Sequence, residues 1–222
     1  MVYHMSGGNT DYDPSLGGLP SMTFQEMDGD FSKVFIVDPT RDGGGWFSDG
    51  SFHIGRPVIV DGNIPTKLKR GGPNVKRAKL LDVNRITGGL DLVCPKFKDI
   101  VEEFEPDIHQ FFPMEYYDAK GKEKIGEGYW MIICQRLDTL HDTLCFPPRN
   151  EKGFMDFFNE KYGGTGRDLK LDKVVFDRKK IANHHMWHDK FHPSSNLFSD
   201  ELGSRLIEAD FSGLVYRHYQ EA

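Results

Sequence analysis

The stretch that most constrains the fold of this chain lies between Phe97 and Pro113 and reads FKDIVEEFEPDIHQFFP. Apolar side chains recur in it at helical spacing, and charged side chains fill most of the positions between them. The apolar stripe consists of Phe97, Ile100, Val101 and Phe104. Pro106 cannot continue the helix, because its ring clashes with the preceding turn and its nitrogen donates no hydrogen bond. The pattern predicts a helix near residues 97–105 whose four stripe residues are all buried in the core.

Two further helices and a set of strands are predicted elsewhere in the chain. Aromatic residues at helical spacing predict a helix near 152–162, and Ser199 as an N-cap predicts one near 199–209. Short apolar runs bounded by turn residues predict strands. These runs are 33–38, 52–60, 80–83, 90–93, 129–137, 170–177 and 214–219. We interpret the chain as a single α+β domain, with a mainly antiparallel sheet flanked by a few helices.

The beginning of the chain has a different composition. Residues 1–32 are rich in Gly, Asp, Ser and Pro, which is typical of loops. We therefore expect a loosely ordered N-terminal extension over 1–32 and an α+β domain over 33–222. A chain of 222 residues suits one domain of this size.

The charge balance bears on the kind of partner. The chain has 28 basic and 34 acidic residues and a net charge of −6, which argues against nucleic acid or an anionic membrane as the main partner. Such a surface suits a basic protein. Six basic residues do cluster between Lys67 and Lys79, but no aromatic residues are interleaved with them, so we interpret the cluster as a solvated loop.

The cysteines and the apolar runs bear on the compartment. Cys94, Cys134 and Cys145 are odd in number and widely spaced, which favours reduced thiols over a disulfide framework. The first residues lack the apolar core of a signal peptide, and no apolar run reaches about 18 residues. We expect a cytoplasmic protein.

Two groups of residues could carry enzyme chemistry. His184, His185, His188 and His192 lie close together with Asp189, and His184 and His188 would share one face of a helix, as zinc ligands often do. Cys134 could act as a thiol nucleophile with His109 or His141 as its base. We prefer structural roles for both groups, because the zinc-protease pattern lacks its Glu and Cys134 lies in an apolar run. We expect no metal and no cofactor.

The central stretch also carries a resemblance to a known family. EEFEPDIHQFFPMEYY (102–117) and YWMIICQRLDTLHD (129–142), together with HHMWHD (184–189) and LFSDELGSRLIEADFSGLVY (197–216), resemble the immunity-protein-eleven family of bacterial polymorphic toxin systems. The resemblance covers roughly 33–219. It implies a protein that neutralises a cognate toxin by binding it. Because no complete catalytic constellation is found in the sequence, we expect a protein that is not an enzyme.

The acidic residues of the central stretch are the candidate contact surface for such a toxin. They are Asp99, Glu102, Glu103, Glu105 and Asp107. They could capture a basic partner electrostatically, or simply form the solvated side of an amphipathic helix. Two other functions remain open: a metal- or thiol-dependent enzyme that uses the His184–His192 cluster, and a fixed interaction domain of a larger secretion-linked assembly. The sequence does not indicate an oligomeric state.

Overall fold

A computed structural model of the chain describes residues 1–7, 23–44, 54–59, 63–71, 80–85, 91–155, 173–192 and 195–222. Within these ranges the strands are β1 Val2–Gly7, β2 Thr23–Glu26, β3 Lys67–Gly71, β4 Val83–Arg85, β5 Asp91–Val93, β6 Gln110–Tyr117, β7 Lys124–Ile132, β8 Arg136–Leu137, β9 Val175–Phe176, β10 Met186–Asp189, β11 Asn196–Phe198 and β12 Leu214–Glu221. The helices are α1 Pro95–Phe104, α2 Arg178–Ile181 and α3 Asp200–Glu208. A short 3-10 helix spans Phe31–Lys33.

The strands form two sheets of six strands each. Sheet A has the order β8-β10-β11-β1-β12-β9, and sheet B has the order β2-β3-β6-β7-β5-β4. The pairs β8–β10, β9–β12 and β3–β6 are parallel, and the other seven pairs are antiparallel. The predicted α+β class with mainly antiparallel pairing is confirmed, although the strands divide between two sheets.

Three apolar clusters hold these layers together. The middle cluster takes residues from both sheets and from α1 and α3, so it joins the layers. A second cluster covers the other face of sheet B, where Trp130 is fully buried. A third covers the other face of sheet A, where Trp187 and Phe176 are fully buried. Burial of this apolar area is the main favourable term in folding.

The helices α1 and α3 form where the sequence predicts them. Phe97, Ile100 and Val101 are buried, but Phe104 in the last turn is only half-buried. Its ring lies at the rim of the cluster, with its centroid 5.0 Å from that of the His185 ring. In α3 the predicted N-cap is confirmed, because Ser199 Oγ accepts the Leu202 N–H at 3.2 Å.

Three other predicted elements differ from the structure or lie partly outside the described residues. Residues 33–38 form no strand: Lys33 ends the 3-10 helix, which Asp30 caps, and 34–38 contribute one isolated bridge, between Ile36 and Val58. The predicted 129–137 strand breaks after Ile132, where β7 ends. Residues 152–155 are not helical, and 156–162 lie outside the described residues.

The segment 1–32 also differs from the expected loose extension. β1 lies inside sheet A and pairs with both β11 and β12, and its Val2 side chain is fully buried. β2 pairs with β3 at the edge of sheet B, so 67–71 is a strand rather than a loop. Residues 8–22 and 72–79 lie outside the described residues.

We predict that Phe97→Ala lowers the free energy of unfolding by about 3–5 kcal/mol, because it empties a site in the middle cluster. Phe97 is 2% exposed. Phe104→Ala should cost less, since part of that ring already contacts solvent. Urea unfolding of both variants tests this order, with the exposed Glu103→Ala on the same helix as a control. Equal losses for the two phenylalanines would contradict the prediction.

Candidate functional site

A buried carboxylate lies where the two sheets approach each other. Glu105 is only 6% exposed, and each of its two oxygens accepts two hydrogen bonds. Oε1 accepts from Gln135 Nε2 and from the His185 N–H, both at 2.7 Å. Oε2 accepts from His109 Nε2 at 2.7 Å and from the Met186 N–H at 2.9 Å. Hydrogen bonds to an ionised group are about twice as strong as neutral ones. Glu105 thus joins α1 to β10 and to the residue before β8, both in sheet A, and to the residue before β6 in sheet B.

The local chain geometry directs Glu105 inward. It is the C-cap residue of α1, and Pro106 follows it. Asp107 then adopts a positive φ of 59°, and its N–H donates to Glu102 Oε2 at 3.0 Å. This turn ends the helix and brings His109 beneath the carboxylate.

The imidazole of His109 has a defined tautomer. Its Nδ1 accepts the Cys134 N–H at 3.1 Å, so the ring hydrogen lies on Nε2, which donates to Glu105. Burial alone would raise the pKa of Glu105. The hydrogen bonds from His109, the His185 N–H and Gln135 outweigh that effect and hold the pKa below its ordinary value of 4.5.

Gln110 follows His109 in the segment His-Gln-Phe-Phe-Pro (109–113), and its side chain binds a different part of the chain. Gln110 Oε1 accepts the Val58 N–H at 2.7 Å, and its Nε2 donates to the Val58 carbonyl at 3.1 Å. The side-chain amide thereby pairs with the backbone of 54–59 as a neighbouring strand would. Phe112 packs on the indole of Trp130, with ring centroids 5.5 Å apart.

A second buried carboxylate belongs to Asp189, which is fully buried. Its Oδ2 accepts from the Thr139 N–H and hydroxyl and from the Leu140 N–H. Its Oδ1 accepts from the N–H groups of Phe191 and His192. Trp187 Nε1 donates to the same Thr139 hydroxyl at 2.9 Å. Trp187 and Asp189 of β10 therefore hold two segments in place: residues 139–140, and residues 191–192 directly after the strand.

An ion-pair cluster fastens residues 38–44 to sheet A. Arg136 donates to Asp42 from two nitrogens, at 2.7 and 3.0 Å, and to the Ile54 carbonyl at 3.1 Å. Arg56 and Lys190 each lie 3.7 Å from the same carboxylate. The hydrogen bond from Arg136 is the largest influence on the pKa of Asp42, which lies far below its usual range. We missed this cluster in the sequence, because Asp42 and Arg136 are far apart along the chain and neither belongs to a motif.

The predicted acidic contact residues do not all lie on the surface. Asp99, Glu103 and Asp107 are exposed and Glu102 is half-buried, so these four can form one outer face beside α1. Glu105 does not belong to this face, because its carboxylate is buried and hydrogen-bonded inside the fold. Ile108 is 47% exposed and adds an apolar side chain at the end of this face. We call Asp99, Glu102, Glu103, Asp107 and Ile108 the acidic face.

The histidine cluster does not form the helix on which a zinc-type spacing depends. His184 precedes β10 and His188 lies within it, fully enclosed, so the two do not share a helix face. His185 Nδ1 lies 2.9 Å from Ser199 Oγ at the start of α3. Among the described residues, no three His, Cys, Asp or Glu side chains are arranged to hold a metal ion.

The thiol–histidine pairs of the alternative hypothesis are not formed. The Cys134 thiol donates to the Ile132 carbonyl at 3.4 Å, while His109 Nδ1 bonds the backbone N–H of Cys134 instead. His141 Nδ1 accepts from the N–H groups of Thr143 and Leu144. Burial raises the pKa of Cys134 to about 11, so the nucleophilic thiolate is scarce near neutral pH.

Comparison with models of known protein families shows the family to which the chain belongs. A family model described as the Immunity protein family (Imm11) matches residues 65–221, more than two thirds of the 222 residues. The chain therefore belongs to that family. The matched range contains both buried carboxylates, whereas β1 and Asp42 lie outside it. A search of curated proteins found no match.

In the described part of the chain, no helix has the length and apolarity needed to cross a membrane.

We predict that Glu105→Gln lowers the free energy of unfolding by about 2–4 kcal/mol. Each carboxylate oxygen faces two donors, so the new amide NH₂ must oppose two donors in either orientation. Glu103→Gln, an exposed change on the same helix, should be nearly neutral. Equal stability of the two variants in chemical denaturation would show that Glu105 does not hold the sheets together.

The same carboxylate predicts a pH dependence. Because its pKa in the folded state lies below 4.5, its stabilising contribution is complete above that pH and is lost as the pH falls through the folded value. Urea midpoints measured from about pH 6 to about pH 3 should converge for the wild type and Glu105→Gln. A stability difference that stays constant over this range would contradict the assignment.

Proposed function

We propose that this protein is a cytoplasmic immunity protein that binds a cognate bacterial toxin and neutralises it by occlusion, without catalysis. The family match over 65–221 is the observation that carries the proposal. The chemistry of the described residues supports it. Glu105, His109 and Asp189 direct their polar atoms to partners within the fold, where they are not free to act on a substrate.

The acidic face is the first candidate for toxin contact. The exposed carboxylates of Asp99 and Glu103 project from α1, whose other side packs in the middle cluster, and Asp107 lies in the turn that follows. A net charge of −6 favours encounter with a basic protein and disfavours nucleic acid and anionic membranes. An interface of standard size, about 1,600 Å² in total, would extend beyond these residues.

Co-expression with the toxin encoded beside this protein's gene tests the proposal. We expect rescue of growth and a complex that co-purifies. Rescue without a complex would overturn occlusion and favour an enzyme that reverses the toxin's effect. If the neighbouring gene encodes a secretion component that holds this chain permanently, the alternative of a fixed assembly domain is favoured.

Charge reversal tests the acidic face. We predict that the double variant Asp99→Lys and Glu103→Lys slows association with the toxin by about tenfold at low salt and weakens the salt dependence of association. Dissociation should change less, because exposed charges at a rim act mainly on encounter. Stopped-flow or surface-based kinetics measures both rates.

A matched control separates local from global charge effects. Glu123→Lys and Glu151→Lys change the net charge by the same amount at exposed positions that do not belong to α1 or the acidic face. The control should keep most of the wild-type association rate. Equal slowing by both double variants would mean that only the net charge acts and that the acidic face is not the docking site.

A further inference from the structure

Among the residues that the structure describes, no strand is paired with the outer edge of sheet A along most of β12. On one side β12 pairs with β1 from Leu214 to Tyr219. On the other side it pairs with β9 at Gln220 and Glu221 only. Within the described residues, no strand pairs with this outer edge between Leu214 and Tyr219.

The pairing with β9 shows which backbone groups point outward. The Ala222 N–H donates to the Phe176 carbonyl at 3.0 Å, and the Ala222 carbonyl accepts the Arg178 N–H at 2.8 Å. Backbone groups alternate in direction along a strand. The N–H and C=O groups of His218 and Tyr216 therefore point to the same side as those of Ala222, away from β1.

The side chains around this edge leave it accessible. Val215 is 51% and Tyr216 46% exposed, and Arg217 and His218 are exposed as well. Because these four consecutive residues are exposed, both faces of the strand contact solvent here. The edge is also bordered by a ring cluster: the His218 centroid lies 5.4 Å from that of Tyr3 and 6.3 Å from that of Tyr216.

Exposed edges invite pairing with other chains, and proteins usually protect them with Pro, a bulge or a charge projecting from the edge. The sequence of 214–219, LVYRHY, has no Pro. Its register with β1 runs without a shift. The guanidinium of Arg217, its one permanent charge, lies 5.0 Å from the Tyr219 ring centroid, on the strand's own face.

We propose that the outer edge of β12 between Leu214 and Tyr219 receives an extended segment of the toxin as an added strand of sheet A. The inference rests on the proposed function. Main-chain hydrogen bonds to Tyr216 and His218 supply the docking, and alternate side chains of the segment contact the flanking rings. The segment carries a carboxylate near Arg217, because 214–219 offers a cation and no acidic residue.

Charge argues against a second copy of this chain as the occupant. The 214–219 stretch of a second copy would bring the same cation and no carboxylate to the edge. Two copies would also each carry a net charge of −6. An acidic segment of another protein satisfies Arg217 in a way that self-pairing does not.

Amide hydrogen exchange followed by NMR on the full chain, free and bound to an inactive toxin variant, tests the proposal. In the free protein the Val215 and Arg217 amides, which face β1, should already be protected, whereas the Tyr216 and His218 amides should exchange quickly. Toxin binding should protect Tyr216 and His218 selectively. A complex in which these two amides still exchange quickly would overturn the inference and leave the proposed function intact.

Proline substitution provides a second test. Tyr216→Pro removes an outward N–H while leaving the bonds to β1 in place, as edge positions permit. Its matched control, Tyr216→Ala, loses the same ring but keeps the N–H. We expect Tyr216→Pro to bind the toxin about tenfold more weakly than Tyr216→Ala. Equal affinities of the two folded variants would overturn the inference, and the exchange measurement decides if the proline variant fails to fold.

Two further outcomes are diagnostic. Arg217→Glu should weaken binding by about tenfold, whereas Lys120→Glu, the same charge change at an exposed site in the β6–β7 connection, should not. Equal effects of the two substitutions would overturn the inference that the toxin segment carries a carboxylate near Arg217. Protection of Tyr216 and His218 in a free protein that sediments as a dimer would assign the edge to a second copy. Absence of any complex with the toxin would overturn the proposed function, and this inference with it.

Discussion

The carboxylate of Glu105 is the interaction on which the rest of the structure depends. Taking one charge out of water costs several kcal/mol, and four hydrogen-bond donors must be in place to offset that cost. Those donors come from the start of β10 and the residue before β8 in sheet A, and from the residue before β6 in sheet B. The carboxylate is therefore satisfied only when both sheets are correctly positioned, and the apolar middle cluster provides the bulk of the stability around it.

The polar chemistry of this chain is divided between interior and surface. Inside, carboxylates, imidazoles and a thiol are occupied by hydrogen bonds that fasten loops and sheets. Outside, the acidic face of α1 and the outer edge of β12 are the two surfaces that we propose for recognition of the toxin, each by a different interaction. Long-range charge acts on the rate of encounter, whereas main-chain pairing acts mainly on the lifetime of a complex. An inhibitor that must find its target quickly and hold it benefits from both.

The sequence predicted the elements with local signals and missed those defined by distant partners. The apolar stripe with Pro106 and the Ser199 cap are contained in a few adjacent residues, and α1 and α3 formed as expected. β1 is flanked by Gly-rich sequence, and its partners lie some two hundred residues away, so no local pattern marked it. Of the five acidic residues predicted to be a contact surface, Glu105 is buried, because its direction depends on the turn at Asp107. The role of the other four stays a prediction. The spacing of His184 and His188 suggested a shared helix face, but that face does not exist, because His188 lies in strand β10 of sheet A and His184 precedes it.

The position of β1 has a consequence for how the protein is made. Val2 and its neighbours pair with residues 214–219, so sheet A cannot close before β12 has been synthesised. At ribosomal rates of about 5–20 residues per second, β1 waits roughly 10–40 s with both edges unpaired. Contacts so distant along the chain also carry a large loop-closure cost, which slows folding. Sheet B draws its strands from residues 23–132 and can assemble first, leaving the arrival of β12 as the event that completes the molecule.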